Sequence, residues 1–526
     1  GNNLFARAGI TLHATDKDDF SLSGMLMTGG HNNNTLTPYH YGTVGSATDN
    51  SIMWRRSTED GDMNMYYGEF NYRHSFSDKH YLDFVVDYNR WMMDNNSVYQ
   101  DSTDYIMPEQ ATEYNYQYRP MFMRNRQWEV KLDYENAITD KFKIQAGYQG
   151  QFSKENTPQE SYEDNTSWEG TNQTEDKDFF NRFIYKNDIH ALYFTGSLTL
   201  GKLGIMAGLR GEYWRVNTES YDWEQEHDPG KRTEPFKKDF FQLFPSVFMS
   251  YQLTESQQLQ LNYTRRLRRP WGGQLNSFRD TRDASIISFG NPELTPEYSN
   301  SFSLNYLKTW TEHSMLISAY YRPTSDVIQR ISYRSQSDGL MYQTNMNVAK
   351  SLSTGLELTV KDKLFKILDL STNVNAYYYK LNGFSYDIEG QTVIGKPDDN
   401  FTWNARMQAS VILPYNITVQ ATGRYRSRQV ITQGYRRASY DLDLGLRKNF
   451  FDNKFSLAIN CRDVLNSRKR ETFTNSADFT RYQMNRRESR FVNFTLTYNF
   501  GNMKAKKPKK DMKEDNGNGG YGEEEE

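Results

Sequence analysis

Hydrophobic and polar residues alternate strictly along many segments of the chain. The alternation is clearest from residue 142 to residue 149, where two sets take opposite faces of an extended segment: Phe142, Ile144, Ala146 and Tyr148 against Lys143, Gln145, Gly147 and Gln149. Similar patterns run through residues 315–322, 401–413, 417–426 and 491–500. A period of two residues indicates a β-strand with one apolar and one wet face. The chain is therefore predicted to consist mainly of β-strands.

The predicted strands are too long for a soluble β-sandwich. Strands of globular proteins have about five or six residues, whereas the alternation continues for the thirteen residues 401–413. A tilted strand needs about 9–11 residues to cross the hydrocarbon of a bilayer. The polar faces carry Arg, Lys and Gln in mid-strand, which suits a water-filled lumen and would destabilise a packed core. The pattern predicts an all-β fold, a transmembrane antiparallel β-barrel.

Short and long connections alternate between the predicted strands. Tight turns are predicted at residues 15–18, 75–79, 138–140, 201–203, 254–256, 311–313, 364–367, 414–416 and 451–453. Long connections are predicted at about residues 31–62, 94–123, 154–181, 218–238, 270–296, 326–340, 383–397, 428–437 and 467–487. This asymmetry is typical of bacterial outer-membrane barrels, in which short turns are periplasmic and long loops extracellular.

The strand count predicts an incomplete barrel. Nine hairpins contribute eighteen strands, and "RFVNFTLTYNF" at residues 490–500 adds a nineteenth. The first strand runs into a short turn, so it starts at the outer surface. Bacterial barrels normally have an even number of strands and both chain ends on the periplasmic side. We therefore expect residues 1–501 to be the C-terminal portion of a barrel that lacks an odd number of strands. Residues 502–526, rich in Lys and then Glu, are predicted to be a disordered charged periplasmic tail.

Composition agrees with a barrel and excludes several other classes. Hydrophobic residues make up 37% and aromatic residues 15% of the chain, whose net charge is -3. Mean hydropathy is -0.86, and no apolar run is long enough for a transmembrane helix. The balanced charge gives no reason to expect nucleic acid as a partner. Cys461 is the single cysteine, which excludes an intrachain disulfide and a cysteine-based metal site.

The sequence offers little support for catalysis or for a bound metal. The eight histidines have no metal-binding spacing, and the acidic residues between positions 155 and 178 do not match an EF-hand. His190 shares the predicted lipid face of its strand with Leu192 and Phe194, which is a poor place for a catalytic base. We therefore expect no cofactor, no metal site and no enzymatic activity.

Several motifs resemble a known family. "YTRRLRRP" at residues 263–270 and "GNPELTPEYSNSFSLNY" at residues 290–306 look like signatures of TonB-dependent outer-membrane receptors. The best resemblance is to the Bacteroidetes-type outer membrane protein beta-barrel family. "WEVKLDYEN" at residues 128–136, "RDVLNSRKRE" at residues 462–471 and the terminal "TLTYNFG" support it. The resemblance covers most of residues 1–501.

The resemblance implies a 22-stranded barrel filled by a plug domain, of which this chain would supply about nineteen strands. No plug and no TonB box is recognisable in residues 1–526. The implied function is TonB-dependent uptake of a scarce solute, such as an iron chelate, an oligosaccharide or a peptide. The implied partners are outer-membrane lipid and, through the missing plug, the TonB–ExbB–ExbD complex; a surface lipoprotein is a further candidate. The alternatives are a barrel that anchors a surface or secretion complex without transport, and a passive porin.

Two sets of residues are candidate ligand contacts. The first is a group of tyrosines in one predicted loop, which could stack on a ligand or belong to the aromatic girdle of the membrane: Tyr99, Tyr105, Tyr114, Tyr116 and Tyr118. The second is Arg265 and Arg266, which begin a basic connection and could steer an anionic ligand. The favoured alternative for these arginines is pairing with carboxylates. Pro292 and Pro296 are expected to shape a loop that folds inward.

Overall fold

The computed structural model describes residues 3–42, 48–280, 286–388, 390–395, 397–431, 433–451, 454–475, 480–486 and 488–499. The predicted tail at residues 502–526 lies outside the described residues. Two short helices, α1 (Trp223–His227) and α2 (Gly272–Leu275), lie in connections between strands. One-turn 3₁₀ helices lie at Lys177–Phe179, Pro229–Lys231 and Pro414–Asn416. No helix in the described residues is long and apolar enough to cross a membrane.

Strands dominate the remaining structure. The first fourteen are β1 Asn3–His13, β2 Asp18–Gly42, β3 Asp49–Ser77, β4 His80–Tyr105, β5 Glu113–Ala137, β6 Phe142–Gln159, β7 Tyr162–Asp164, β8 Thr174–Glu175, β9 Asn181–Leu200, β10 Leu203–Tyr221, β11 Phe236–Thr254, β12 Gln257–Arg268, β13 Ile287–Ser288 and β14 Glu297–Trp310. The others are β15 His313–Arg334, β16 Met341–Leu364, β17 Leu368–Leu381, β18 Phe384–Ile388, β19 Gln391–Gly395, β20 Asp398–Leu413, β21 Ile417–Arg426, β22 Gln429–Ile431, β23 Gly434–Arg436, β24 Ser439–Phe450, β25 Phe455–Arg462, β26 Arg470–Asn475, β27 Thr480–Asn485 and β28 Phe491–Tyr498.

Nineteen of these strands form one antiparallel meander, as the sequence predicts. Its order is β1 to β6, β9 to β12, β14 to β17, β20, β21, β24, β25 and β28. The short strands β7, β8 and β13 add to this sheet within connections, whereas β18–β19 and β22–β23–β26–β27 form two small separate sheets. Within the described residues, β1 pairs only with β2 and β28 pairs only with β25. The predicted all-β fold and strand count are confirmed.

The alternating faces agree with the sequence pattern. Phe142 pairs with Leu198, and Tyr148 pairs with Leu192, so the apolar face continues from β6 to β9. Leu192 is 67% exposed although it lies in the middle of a paired strand. On the opposite face Lys143 forms an ion pair of 2.6 Å with Glu135. Apolar side chains therefore cover the outside of the sheet, where they contact lipid, and hydrogen-bonded polar groups line the inside.

Eight of the nine tight turns lie where the sequence places them, and the ninth, at residues 451–453, lies partly outside the described residues. The long connections differ from the prediction. Residues 94–123 are predicted as one loop, whereas β4 continues to Tyr105 and β5 begins at Glu113, with Thr103 paired to Glu113. The hairpin of β2 and β3 extends in the same way to Gly42 and Asp49. Loss of apolar alternation marks the point where a strand leaves lipid. It does not mark the end of pairing, because the backbone ladder is independent of side-chain polarity.

Candidate functional site

A polar recess lies on the inner face of the sheet, where four consecutive strands of the meander meet. The recess has a volume of about 290 Å³ and is lined by Ser301, Ser303, Asn305, Ser318, Tyr320, Arg322, Glu357 and Asn375. These residues share one face because β14, β15, β16 and β17 pair in register, as in the row Ser303, Tyr320 and Gly355. The recess is therefore a hydrogen-bonding patch of the lumen wall.

Hydrogen bonds hold the side chains of the recess in place. The hydroxyl of Tyr320 donates to Asn375 at 3.0 Å, and the amide of Asn373 donates to Glu357 at 2.8 Å. The guanidinium of Arg322 lies 5.3 Å from the centre of the Tyr320 ring. The recess thus offers hydroxyl, amide, carboxylate and guanidinium groups to a polar solute. Its groups can bind and orient such a solute by hydrogen bonds.

Another part of the lumen wall, formed by β5, β6 and β10, carries charged and amide side chains that are linked from strand to strand by hydrogen bonds. Arg210 of β10 bonds to Glu212 at 2.6 Å and to Gln149 of β6 at 2.8 Å. Gln149 in turn donates to Glu129 of β5 at 2.5 Å. Arg269, at the start of the long connection after β12, donates to Glu212. The connection is therefore tied directly to the polar wall.

The connection between β12 and β14, described at residues 269–280 and 286–296, folds against the inner face of the sheet. Its apolar residues Leu275 and Leu294 are each 2% exposed. They pack in one buried cluster with inward-facing residues of the wall and of β15: Phe183, Tyr185, Ile189, Trp214, Val216 and Ile328. Pro296 is among the most deeply buried side chains. The inward loop expected from Pro292 and Pro296 is present.

The first two arginines of the basic segment have different surroundings. The guanidinium of Arg265 lies 5.5 Å from the centre of the Tyr298 ring and 3.5 Å from the amide oxygen of Gln242. Arg266 is exposed, and no hydrogen bond or ion pair of its side chain occurs in the part of the chain that the structure describes. Pairing with a carboxylate is found instead at Arg268, which binds Glu297. A role for Arg265 or Arg266 in ligand contact stays a prediction.

Tyr99 lies on the inner face of β4, and its side chain is only 5% exposed. Its ring is approached by the guanidinium groups of Arg55 and Arg119, at 5.4 and 5.3 Å from the ring centre. Arg55 also forms two hydrogen bonds of 2.7 Å with Asp101, and Arg119 covers the ring of Phe179 at 4.0 Å. Burial lowers the pKa of Arg119. Tyr99 thus anchors the connection that contains Phe179 against the extended strands.

The other four candidate tyrosines do not form one surface with Tyr99. Tyr105 lies at the end of β4, where its hydroxyl donates to Glu113 at 2.7 Å. The remaining three, on alternate positions of β5, take the opposite face of the sheet, because Tyr118 pairs with Val98 and Tyr99 pairs with Gln117. Strand alternation therefore divides the five tyrosines between an inner and an outer face, and contact of any with a ligand stays a prediction.

The tyrosines of β5 pack against the connection from residue 160 to residue 180. Tyr118 stacks on Tyr162 with ring centres 6.0 Å apart, and Tyr114 meets Trp168 edge-on at 6.5 Å. Tyr116 lies directly under Gly170, where an added Cβ would come within 2.4 Å of the ring. This acidic connection is organised by Asp164, which accepts hydrogen bonds from Thr166 and from the backbone of Asn172. These bonds lower the pKa of Asp164.

The side chain of Glu155 is half-buried where the inward loop meets the wall. Burial raises the pKa of Glu155, on the part of β6 beyond the apolar band. The Oε1 atom of Glu155 lies beneath α2, 3.2 Å from where a Cβ on Gly272 would be. Its hydroxyl neighbour Thr157 donates at 3.4 Å. The carboxyl group of Glu155 and the start of α2 therefore lie next to each other.

Sequence reasoning missed the residues of the polar recess. Each is a common Ser, Asn, Tyr, Arg or Glu at an inward position, and no local motif distinguishes it. The signal that could have found them is strand alternation, because the tight turns fix the register of successive strands. In that register Ser303, Tyr320 and Glu357 all occupy inward positions. Among the described residues, no group of three His, Cys, Asp or Glu side chains is arranged to hold a metal ion.

Comparisons with known proteins agree with this architecture. The profile of the outer membrane protein beta-barrel family matches residues 18–498. The ferric yersiniabactin uptake receptor FyuA from Yersinia pestis superposes with a TM-score of 0.52 at 11% identity, covering 95% of this chain and 78% of that chain. The siderophore receptor PiuA from Acinetobacter baumannii superposes with a TM-score of 0.52 at 10% identity, covering 95% of this chain and 81% of that chain. The ferric-catecholate import receptor Fiu from E. coli K12 superposes with a TM-score of 0.51 at 11% identity, covering 94% of this chain and 80% of that chain. No curated protein matches the chain in sequence.

Proposed function

The chain belongs to the outer membrane protein beta-barrel family, and we propose that it is the barrel of a TonB-dependent receptor that takes up a scarce solute. The observation that carries the proposal is the combination of family membership with a polar lumen wall under an inward-folded connection. The recess around Tyr320 and Arg322 supplies hydrogen bonds along the path. Passage would require no chemical change of the solute.

The proposed orientation follows from the two kinds of connection. The long connections, with their extended hairpins and small sheets, would face the cell exterior. The tight turns would face the periplasm. Selectivity would arise among the long connections, where the inward loop, which packs through Leu275 and Leu294, would narrow access to the lumen. Residues 502–526 would then form a charged tail on the periplasmic side.

The proposed energy source is the inner-membrane TonB–ExbB–ExbD complex, which would act through a plug domain inside the lumen. The three structural neighbours are described as receptors for ferric yersiniabactin, siderophores and ferric catecholate. An iron chelate is accordingly the first solute to test. Oligosaccharides and peptides are also tested, because the serine, asparagine and arginine groups of the recess suit any polar solute.

The experiment measures uptake of labelled solutes by cells that produce the full-length protein. Panels of ferric chelates, oligosaccharides and peptides are compared in cells with and without a functional TonB protein. The proposal predicts that at least one solute enters only when both the receptor and TonB are present. Uptake that continues unchanged without TonB, together with a large steady single-channel conductance, would identify a passive porin and contradict the proposal. Absence of uptake for every solute would favour the non-transporting scaffold.

A further inference from the structure

Three positive side chains lie next to one another on the outer face of the sheet. Arg90 of β4 pairs directly with Arg126 of β5, and Arg126 pairs directly with Lys154 of β6. Direct partners in an antiparallel sheet have Cβ atoms about 4.5–5.5 Å apart. We call these three residues the basic row. Like charges at such positions destabilise a sheet unless an anion compensates them.

The basic row lies on the lipid side of the barrel. Trp128, two residues from Arg126 on the same strand face, is 48% exposed. On the same face as Arg90, β4 continues toward its tight turn with Tyr88, Val86 and Phe84. Arg90 and Arg126 are exposed, and Lys154 is half-buried. The row therefore does not belong to the polar lumen in which a transported solute would bind.

An aromatic row lies immediately below the basic row. Tyr88 pairs with Trp128, and Trp128 pairs with Phe152, one step closer to the tight turns than the three cations. The rings of Tyr88 and Trp128 are 4.5 Å apart. Aromatic belts of this kind mark the level of the lipid headgroups. The basic row consequently lies at the height of phosphate groups in the leaflet beside the long connections.

No carboxylate is in direct contact with the basic row in the described residues; Glu219, which forms an ion pair with Lys186, interacts with Lys154 only at longer range. Within the described ranges of the chain, the side chains of Arg90, Arg126 and Lys154 form no hydrogen bond and no ion pair. The next cation along the same face of β5, Arg124, forms an ion pair with Asp94. The three cations thus differ from their neighbour in lacking a carboxylate.

On the neighbouring strands β9 to β11, two cations of the outer face form ion pairs with carboxylates. On β9, next to Lys154, Lys186 forms an ion pair of 2.7 Å with Glu219. On β10 and β11, Arg215 bonds to Asp239 at 3.2 Å. On this outward surface Lys186 and Arg215 each have a carboxylate in direct contact, whereas Arg90, Arg126 and Lys154 do not.

We propose that Arg90, Arg126 and Lys154 bind phosphate-bearing lipid headgroups of the outer leaflet. Arginine recognises phosphate by paired hydrogen bonds and lysine contributes a mobile charge, while Tyr88, Trp128 and Phe152 would contact the upper part of the acyl chains. The bound lipid would hold this side of the barrel at a fixed height. The proposal goes beyond solute uptake and depends on the outer-membrane location and on the proposed orientation, not on the identity of the solute.

The test uses the purified full-length protein in lipid-free detergent micelles. Three probes are added separately: lipopolysaccharide, the same lipopolysaccharide after enzymatic removal of its phosphates, and inorganic phosphate. Retention of lipid on the folded protein is measured by native mass spectrometry. The proposal predicts that the phosphorylated lipid is retained about tenfold more strongly than the dephosphorylated one, in line with charge-assisted hydrogen bonds to two arginines. Displacement of the lipid by inorganic phosphate alone would indicate a free-anion site and overturn the proposal.

The variant Arg90→Gln/Arg126→Gln/Lys154→Gln is expected to lose this preference. The matched control, Lys17→Gln/Lys141→Gln/Lys366→Gln, removes the same charge from exposed positions at the tight turns and should keep it. A second variant, Arg90→Lys/Arg126→Lys, keeps the charge but not the paired hydrogen bonds, and is expected to show intermediate retention. Equal retention by the wild type and the two basic-row variants would overturn the proposal, as would equal loss in the control.

Discussion

Arg268 and Glu297 join the two ends of the inward connection through two hydrogen bonds of 2.9 and 2.7 Å. The same carboxylate accepts a hydrogen bond from the backbone N–H of Ile328 at 2.5 Å. One side chain therefore links the end of β12, the start of β14 and the irregular part of β15. This arrangement closes the loop of residues 269–296 at its base and directs its apolar residues into the lumen.

Substitution of Glu297 tests this linkage. Glu297→Ala leaves Arg268 and the N–H of Ile328 without their acceptor, and a buried donor that loses its partner costs about 1–3 kcal/mol. We expect a lower melting temperature and faster proteolysis within residues 269–296. The matched control is Glu293→Ala, in the same connection, where the side chain is exposed. Equal proteolysis of the two variants would contradict the linking role of Glu297.

The apolar anchor of the inward loop can be tested at Leu275. Leu275→Ala removes a side chain that is 2% exposed, and such truncations cost about 2–5 kcal/mol. Leu340→Ala, at a position that is 51% exposed in another connection, should change stability little. Thermal unfolding of the folded protein in detergent measures both. A similar melting temperature for the two variants would mean that the loop does not pack into the lumen.

The raised pKa of Glu155 predicts that packing of the inward loop against the wall depends on pH. Because burial raises its pKa in the folded protein, the folded state binds the proton more tightly than the unfolded state. Stability should therefore fall as pH rises from the ordinary carboxyl pKa through the raised one. Hydrogen exchange at Gly272 and Leu275 measures the effect, which Glu155→Gln should abolish. Glu109→Gln, at an exposed position, should leave the pH profile unchanged; an unchanged profile in Glu155→Gln would refute this role.

Gly170 is required both for its backbone conformation and for its closeness to Tyr116. Its φ is +64°, and an added Cβ would lie 2.4 Å from the Tyr116 ring. Gly170→Ala should displace the connection of residues 160–180, in addition to a conformational cost of about 1–2 kcal/mol. Gly201→Ala is the control, because its φ is +59° but no atom lies within 4 Å. Hydrogen exchange at residues 166–172 should increase only in Gly170→Ala, and an increase in neither variant would contradict the packing of Tyr116.

The polar recess predicts a functional difference between two adjacent tyrosines. Tyr320→Phe removes the hydroxyl that donates to Asn375, whereas Tyr321 faces outward and is 48% exposed. Once a solute has been identified, Tyr320→Phe should raise the apparent KM of uptake about fivefold, as expected for one lost hydrogen bond. Tyr321→Phe should leave KM unchanged. Equal KM values in both variants would place the solute path elsewhere in the lumen.

Strand number, strand faces and tight turns were predictable because each depends on local sequence. Alternation from Phe142 to Tyr148 directly reports the difference between lipid and water on the two faces of one strand. Turns such as Gly201, at φ +59°, depend on a few adjacent residues. The outward position of His190, in register with Leu192, followed from the same alternation.

The site was less predictable because it depends on contacts between distant parts of the chain. Tyr99 and Tyr118 are close in sequence to other loop tyrosines, but pairing of β4 with β5 places them on opposite faces. Burial of Leu275 against Trp214 joins residues that lie 61 positions apart in sequence. The predicted loop at residues 94–123 was mostly strand, because polarity reports the limit of lipid contact and not the limit of pairing.

The most direct test of the account is the environment of neighbouring residues on β14. Single cysteines are introduced at Ser303 and Leu304 in a Cys461→Ser background, spin-labelled, and studied in lipid bilayers by electron paramagnetic resonance. Leu304, 47% exposed on the outer face, should be accessible to oxygen dissolved in lipid. Ser303, in the polar recess, should be accessible to a water-soluble paramagnetic reagent. Equal accessibility of the two labels to both reagents would contradict a sheet with one face in lipid and the other lining a lumen.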